Sequence, residues 1–172
     1  MLADEAFLQK IEQAAQAMIS AFRGGGKVLF CGNGGSAADA QHLAAELSGR
    51  FYTDRPPLYA EALHVNSSFV TAVANDYGYD DVFARMTEAA GRRGDVLVAL
   101  STSGNSPNIL KAIEKGINQG MVIVGFTGAM GGKMAGLCDI LLNVPSTDTP
   151  RIQESHILIG HIICEAVERE MF

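Results

Sequence analysis

The chain has 172 residues, room for one compact domain at roughly 100–200 residues per domain, so a single domain over 1–172 is expected. A composition of 48% hydrophobic and 19% charged residues excludes intrinsic disorder, and the longest apolar runs, such as 96–100 and 121–126, fall far short of the ~20 residues of a membrane span. With 13 basic and 19 acidic residues the formal charge is −6, which argues against a nucleic-acid surface but leaves room for a local anion site.

The chain begins MLADEAFLQKIEQ, acidic where a signal peptide carries a basic region, so the expected compartment is the cytoplasm. Leu8, Ile11, Ala15, Met18 and Phe22 recur at helical spacing, predicting a first helix that ends near Arg23 before three glycines. Short apolar runs predict strands at 27–31, 59–65, 95–100, 121–126 and 139–144. Between and after them, helical patterns cover 36–50, 67–75, 80–90, 106–119, a short piece near 132–137, and 150–170. Alternating strands and helices, with no polar alternation in VLVAL or MVIVGF, predict an α/β doubly wound parallel sheet covered on both faces. Cys31, Cys138 and Cys164 are odd in number and set among apolar neighbours, so they read as buried thiols and not as a disulfide or zinc frame.

In such a sheet, ligands bind beyond the carboxyl ends of the strands where the winding reverses. With strand order 2-1-3-4-5, the loops Gly32-Asn33-Gly34-Gly35-Ser36 and Ser101-Thr102-Ser103-Gly104-Asn105-Ser106 become neighbours, each leading into a helix. Glycines permit close backbone approach, and hydroxyls and amides donate into a favourable helix dipole, so the pair suits a phosphorylated small molecule. Arg50, Arg55 and Arg151 are available to add charge from a neighbouring subunit. A dinucleotide is disfavoured because the end of the second strand reads His64-Val65-Asn66, without the ribose-binding acid. A Walker loop is excluded because Thr127 stands where its first glycine belongs and Met134 follows Lys133.

Ser36 and Asp39 resemble a capping box for the helix after the first glycine loop. On that helix His42 and Glu46 lie four residues apart, about 40° around the axis. On the last helix Asp148 or Thr149 is the expected cap and Pro150 the expected first residue. Gln153 there precedes His161 by eight residues, about 80° around. A His, Glu, Gln, His set supplies an acid and a base and resembles a zinc ligand set, although spacing alone leaves His156 open as an alternative to His161.

At CGNGGSAADAQHLAAELSGRF, VANDYG, STSGNS and RIQESHILIGHIICEAVE the sequence resembles the sugar isomerase (SIS) fold and, within it, the phosphoheptose isomerases. The resemblance implies contacts to a sugar phosphate from Asn33, Gly34, Gly35, Glu46, Asn75, Asp76, Ser101, Thr102, Ser103, Ser106 and Gln153. It implies zinc ligands His42, Glu46, Gln153 and His161, with Glu46 and His161 as base and acid, and so prefers His161 to His156. It further implies a homotetramer with interfacial active sites, in which the helix within 1–26 is expected to pack the oligomer. The implied reaction interconverts sedoheptulose 7-phosphate and D-glycero-D-manno-heptose 7-phosphate through an enediol, the first step toward nucleotide-activated heptose for lipopolysaccharide core or another surface polysaccharide. The competing class is a non-catalytic SIS protein that binds a sugar phosphate or the replication initiator as a regulator. Retention of both the His42–Glu46 and Gln153–His161 pairs favours an enzyme.

Overall fold

A computed structural model describes residues 4–172. A first helix, α1 (Glu5–Arg23), is capped by the Asp4 carboxylate, which accepts from the Phe7 amide at 3.2 Å. Strand β1 (Val28–Gly32) and helix α2 (Gly35–Ser48) follow, then β2 (Ala60–Ala62), α3 (Ser67–Asp76), a 3₁₀ turn (Tyr79–Asp81) and α4 (Val82–Ala90). The remainder alternates β3 (Val96–Leu100), α5 (Pro107–Gln119), β4 (Val122–Thr127), a 3₁₀ turn (Gly132–Gly136), β5 (Ile140–Asn143) and α6 (Thr149–Met171). The sheet is parallel throughout, in the expected order β2-β1-β3-β4-β5.

Each strand side chain takes one face of the pleat, and both faces are apolar. Val28 and Phe30 of β1, Val96, Val98 and Leu100 of β3, and Val124 and Phe126 of β4 join a core with α1, α2 and α6. Leu29, Cys31, Leu97, Ala99 and Ile123 join a second core with α4 and α5. This double burial is why the strands read as unbroken apolar runs.

Several expectations need correction. The second strand spans 60–62 and not 59–65; it is an edge strand, and its flanks retain only single ladder bonds, from the Val28 amide to the Tyr59 carbonyl and from the Leu63 amide to the Phe30 carbonyl. The helix expected from Asp80 starts at Val82 behind a 3₁₀ turn, and the short helix near 132–137 is itself a 3₁₀ turn. The Ser36–Asp39 capping box does not form. Gly34 takes the cap position with φ 56°, a conformation open to glycine, and Ser36 is buried inside the first turn while Asp39 Oδ2 has no hydrogen-bond partner. On α6, Asp148 occupies the cap position without a side-chain bond, and Pro150 is the second helical residue, after Thr149. Cys31 and Cys164 are buried as expected, whereas Cys138 is only partly so.

Helices α2 and α6 run parallel on one face of the sheet, in register. A Cβ on Gly35 would collide with the Gln153 amide, and a Cβ on Gly160 would collide with the Leu43 side chain, so glycine at 160 sets how closely the two helices approach.

Candidate active site

The register of β1 and β3, with Gly32 paired to Leu100, brings the two glycine- and serine-rich loops to the same end of the sheet. A reciprocal amide pair joins them: Asn33 Nδ2 donates to Asn108 Oδ1 and Asn108 Nδ2 donates to Asn33 Oδ1, both at 2.9 Å. Asn108 lies in the first turn of α5 and is 3% exposed. Tyr79 Oη also donates to Asn33 Oδ1, at 3.3 Å. Sequence reasoning missed Asn108; the signal for it was an amide in the first turn of a helix otherwise apolar on its buried face.

In the second loop the hydroxyls turn toward one another. Ser101 Oγ lies 3.0 Å from Ser106 Oγ and 3.5 Å from Ser103 Oγ, and Ser103 Oγ accepts the Asn105 amide at 3.2 Å. Ser106 is the cap residue of α5 but makes no side-chain bond to the helix, so its hydroxyl belongs to this cluster and the positive end of the helix faces it. Thr102 is half-buried beside it, with its carbonyl accepting the Gly128 amide at 3.0 Å. A hollow of about 290 Å³ adjoins the loop, lined by Thr102, Ser103, Ser146, Thr147 and Thr149 among others. Asn75 and Asp76 stand apart: both are exposed at the end of α3, with Asn75 Nδ2 donating to Asp76 Oδ1 at 2.8 Å and no bond to either loop among the described residues.

The parallel packing of α2 and α6 gathers the titratable groups. His42 Nε2 lies 3.0 Å from His161 Nε2 and 3.1 Å from Glu46 Oε1, and one donor atom from each of His42, Glu46 and His161 lies within 4.8 Å of the others. Two imidazole nitrogens this close either share a proton or turn both lone pairs on a common cation. With bonds of ~2.0–2.1 Å, ligands on a tetrahedral zinc ion stand about 3.3 Å apart, so the donor types and the two shorter separations both fit such an ion. Gln153 lies two turns earlier on α6, with its amide against Gly35. It therefore sits at the join between the first loop and α2, toward the cluster's loop side.

His156 is the residue that the spacing could not separate from His161. It is fully buried, its ring edge-on to Phe126 at 5.5 Å and its Nε2 3.3 Å from the Thr127 carbonyl. Burial holds its pKa down to about 4, with the Thr127 bond opposing weakly, so it is a neutral core residue. Among the cysteines, burial and then the Glu46 carboxylate push Cys164 up to about 12, which leaves a protonated, unreactive thiol beside the cluster. Asp39, one turn before His42, has its carboxyl raised by burial and partly lowered again by His42. Arg55 is not free to meet a phosphate, because its side chain is 2% exposed and is committed to Glu168 at 2.8 Å.

The SIS domain family matches residues 3–128. Over 158 residues, 92% of this chain and 84% of the relative, the sequence is 60% identical to the phosphoheptose isomerase of Rhodospirillum rubrum. It is 55% identical to that of Aneurinibacillus thermoaerophilus over all 172 residues, 87% of the relative. The chain belongs to the phosphoheptose isomerases of the SIS-domain family. Its fold superimposes on the solved structure of phosphoheptose isomerase GmhA from Neisseria gonorrhoeae with a TM-score of 0.90 at 45% identity, covering 96% of this chain and 88% of that one. This membership agrees with an enzyme and with the α/β architecture described above.

Proposed function

We propose that the protein converts sedoheptulose 7-phosphate to D-glycero-D-manno-heptose 7-phosphate, an aldose–ketose isomerisation that feeds heptose synthesis. The observation that carries this reading is the convergence of His42 and Glu46 from α2 with His161 from α6, in a chain that also carries the hydroxyl cluster of Ser101, Ser103 and Ser106 at the start of α5. The phosphate is held by Ser101, Thr102, Ser103 and Ser106 against the positive end of α5. Asn33, Gly34 and Gly35, with Gln153 over Gly35, line the approach to the sugar, and Asn75 and Asp76 meet it from the end of α3.

Isomerisation moves a proton from C1 of the open-chain ketose to C2 through an enediol, so it needs a base and an acid near both carbons. Glu46 has two oxygens with different surroundings: Oε1 faces His42, whereas Oε2 has no hydrogen bond to another described residue. One oxygen is thus available as a ligand while the other is free to exchange a proton, at a basicity that metal binding through the first would lower. His161, the member of the cluster on α6, serves the complementary proton transfer. The residues that would hold zinc are His42, Glu46, Gln153 and His161, and bound there the ion would supply Lewis-acid polarisation of the sugar oxygens.

We also infer a homotetramer in the cytoplasm, built as one SIS domain over 1–172. A groove of about 430 Å³ between α1 and α6, with an apolar floor of Leu8, Ile11, Ala15, Ile162 and Ala166 flanked by Glu12, Gln16, Arg169 and Glu170, supports association through the helix within 1–26. Light scattering at micromolar concentration tests this, and a monomer would overturn it. No helix among the described residues is long and apolar enough to cross a membrane.

The deciding experiment assays interconversion of the two heptose phosphates with metal-analysed wild type, Glu46→Gln and His161→Gln. Turnover by wild type and its loss in both variants is expected. Zinc-loaded wild type that binds sugar phosphate without turnover would replace this reading with that of a non-catalytic sugar-phosphate binder.

A further inference from the structure

Outside the donor cluster lies a buried charge pair that the reaction does not use. Glu168, near the end of α6, is 4% exposed. Its Oε1 accepts the amides of Tyr52 at 2.8 Å and Thr53 at 2.9 Å, and its Oε2 accepts the Phe51 amide at 3.1 Å and Arg55 Nε at 2.8 Å. Arg55 then reaches back to α2: Nη2 donates to the Glu46 carbonyl and Nη1 to the Leu47 carbonyl, both at 2.9 Å. These are last-turn carbonyls that the helix itself leaves without partners.

The network touches the donor cluster along two routes. Through Arg55 it grips the backbone of Glu46. Through the Phe51 amide it fixes the residue whose ring lies 5.6 Å from the His161 ring. Besides the His42–His161 contact and the Gln153 amide against Gly35, helices α2 and α6 meet through apolar packing such as Leu43 on Gly160, which sets their spacing but resists axial sliding weakly. A charged, forked contact is directional and resists it.

We propose that Glu168 and Arg55 are positioning residues that lock the axial register of α2 on α6 and thereby preorganise His42, Glu46 and His161 for the metal ion. The inference rests on the zinc reading given above. Partners one layer out from metal ligands typically contribute 10–100-fold to metal affinity, because they orient the ligands before binding.

The test measures zinc affinity by competition with a chromophoric chelator on the full chain, alongside thermal melting, for wild type, Glu168→Gln, Arg55→Lys and Asp95→Asn. Arg55→Lys keeps the charge but cannot reach Glu168 and both carbonyls at once, and it remains informative should Glu168→Gln fold poorly. Asp95→Asn breaks another buried ion pair, with Lys27 at the opposite end of the sheet, and controls for stability loss alone. The expected result is a 10–100-fold weaker zinc affinity in Arg55→Lys and in Glu168→Gln, at temperatures where each is folded, with Asp95→Asn binding like wild type. A folded Arg55→Lys with wild-type zinc affinity would overturn the proposal, as would an equal loss in Asp95→Asn. Should wild type bind zinc, and the positioning variants bind it more weakly, while no isomerase activity appears, the functional reading fails and the positioning role stands.

Discussion

The two ends of the parallel sheet treat their polar groups in opposite ways. At the amino end, Asp95 is 2% exposed and accepts from the Lys27 amide at 3.0 Å, Lys27 Nζ at 2.6 Å and the Arg92 amide at 2.8 Å. Those bonds are all internal, and they tie β1 to the turn before β3. At the carboxyl end, the serine hydroxyls cluster beside an open hollow, and between α2 and α6 the donor atoms of His42, Glu46 and His161 converge on one another. A buried carboxylate with both oxygens bonded inside the fold stabilises it, whereas convergent groups with capacity to spare bind something else.

The contrast is broken most severely at the cluster. Glu46→Gln is expected to lower kcat by about 10²–10⁴, the usual contribution of a positioned acid or base, with little change in melting temperature. Steady-state kinetics beside a melting curve check both halves. The mirror-image substitution, Asp95→Asn, leaves Lys27 without its partner and is expected to cost about 3 kcal/mol of stability while the folded fraction keeps its kcat. Denaturant titration measures the first and the same assay the second.

Acid sharpens the comparison further. His156 has its pKa lowered from 6.5 to about 4, so between those values the unfolded chain binds a proton that the native chain does not. Stability therefore falls as pH drops from 6.5 to about 4, by roughly 3 kcal/mol in all, and His156→Asn should flatten that part of the profile. Glu168 acts lower down. Burial raises its pKa, but Arg55 and the amides of Thr53, Tyr52 and Phe51 outweigh this and bring it from 4.5 to about 2. Its contribution is complete above 4.5 and is lost as pH falls toward 2. The smallest expected effect is Ser103→Ala, which on the proposed assignment removes one hydrogen bond to a charged phosphate and should raise KM by the equivalent of about 1.5 kcal/mol, with kcat nearly intact.

Much of this was legible in the sequence, for identifiable reasons. Strands covered on both faces carry uninterrupted apolar runs, so β1, β3 and β4 were visible to within a residue or two. The edge strand β2 was overestimated because its apolar letters continue past the point where pairing stops. The capping box failed because Gly34, with its positive φ, caps α2 two residues earlier than a Ser36 cap would. His156 and His161 lie five residues apart on one helix, about 140° around, and only the position of α2 tells which faces the cluster. Asn108 and the Arg55–Glu168 pair were illegible for a stronger reason. Their partners are separated by 75 and 113 residues, so no local pattern announces them.

The pairing of α2 with α6 also dictates when the chemistry comes into being. Its two halves are encoded 119 residues apart, at His42 and His161, whereas the hydroxyls proposed to grip the phosphate lie within a six-residue span. Closing so long a loop is entropically costly and must wait for the intervening sheet. During synthesis the serine-rich loop can therefore take shape well before the final helix emerges, so on the proposed assignment a nascent chain would hold a phosphate grip long before it could move a proton.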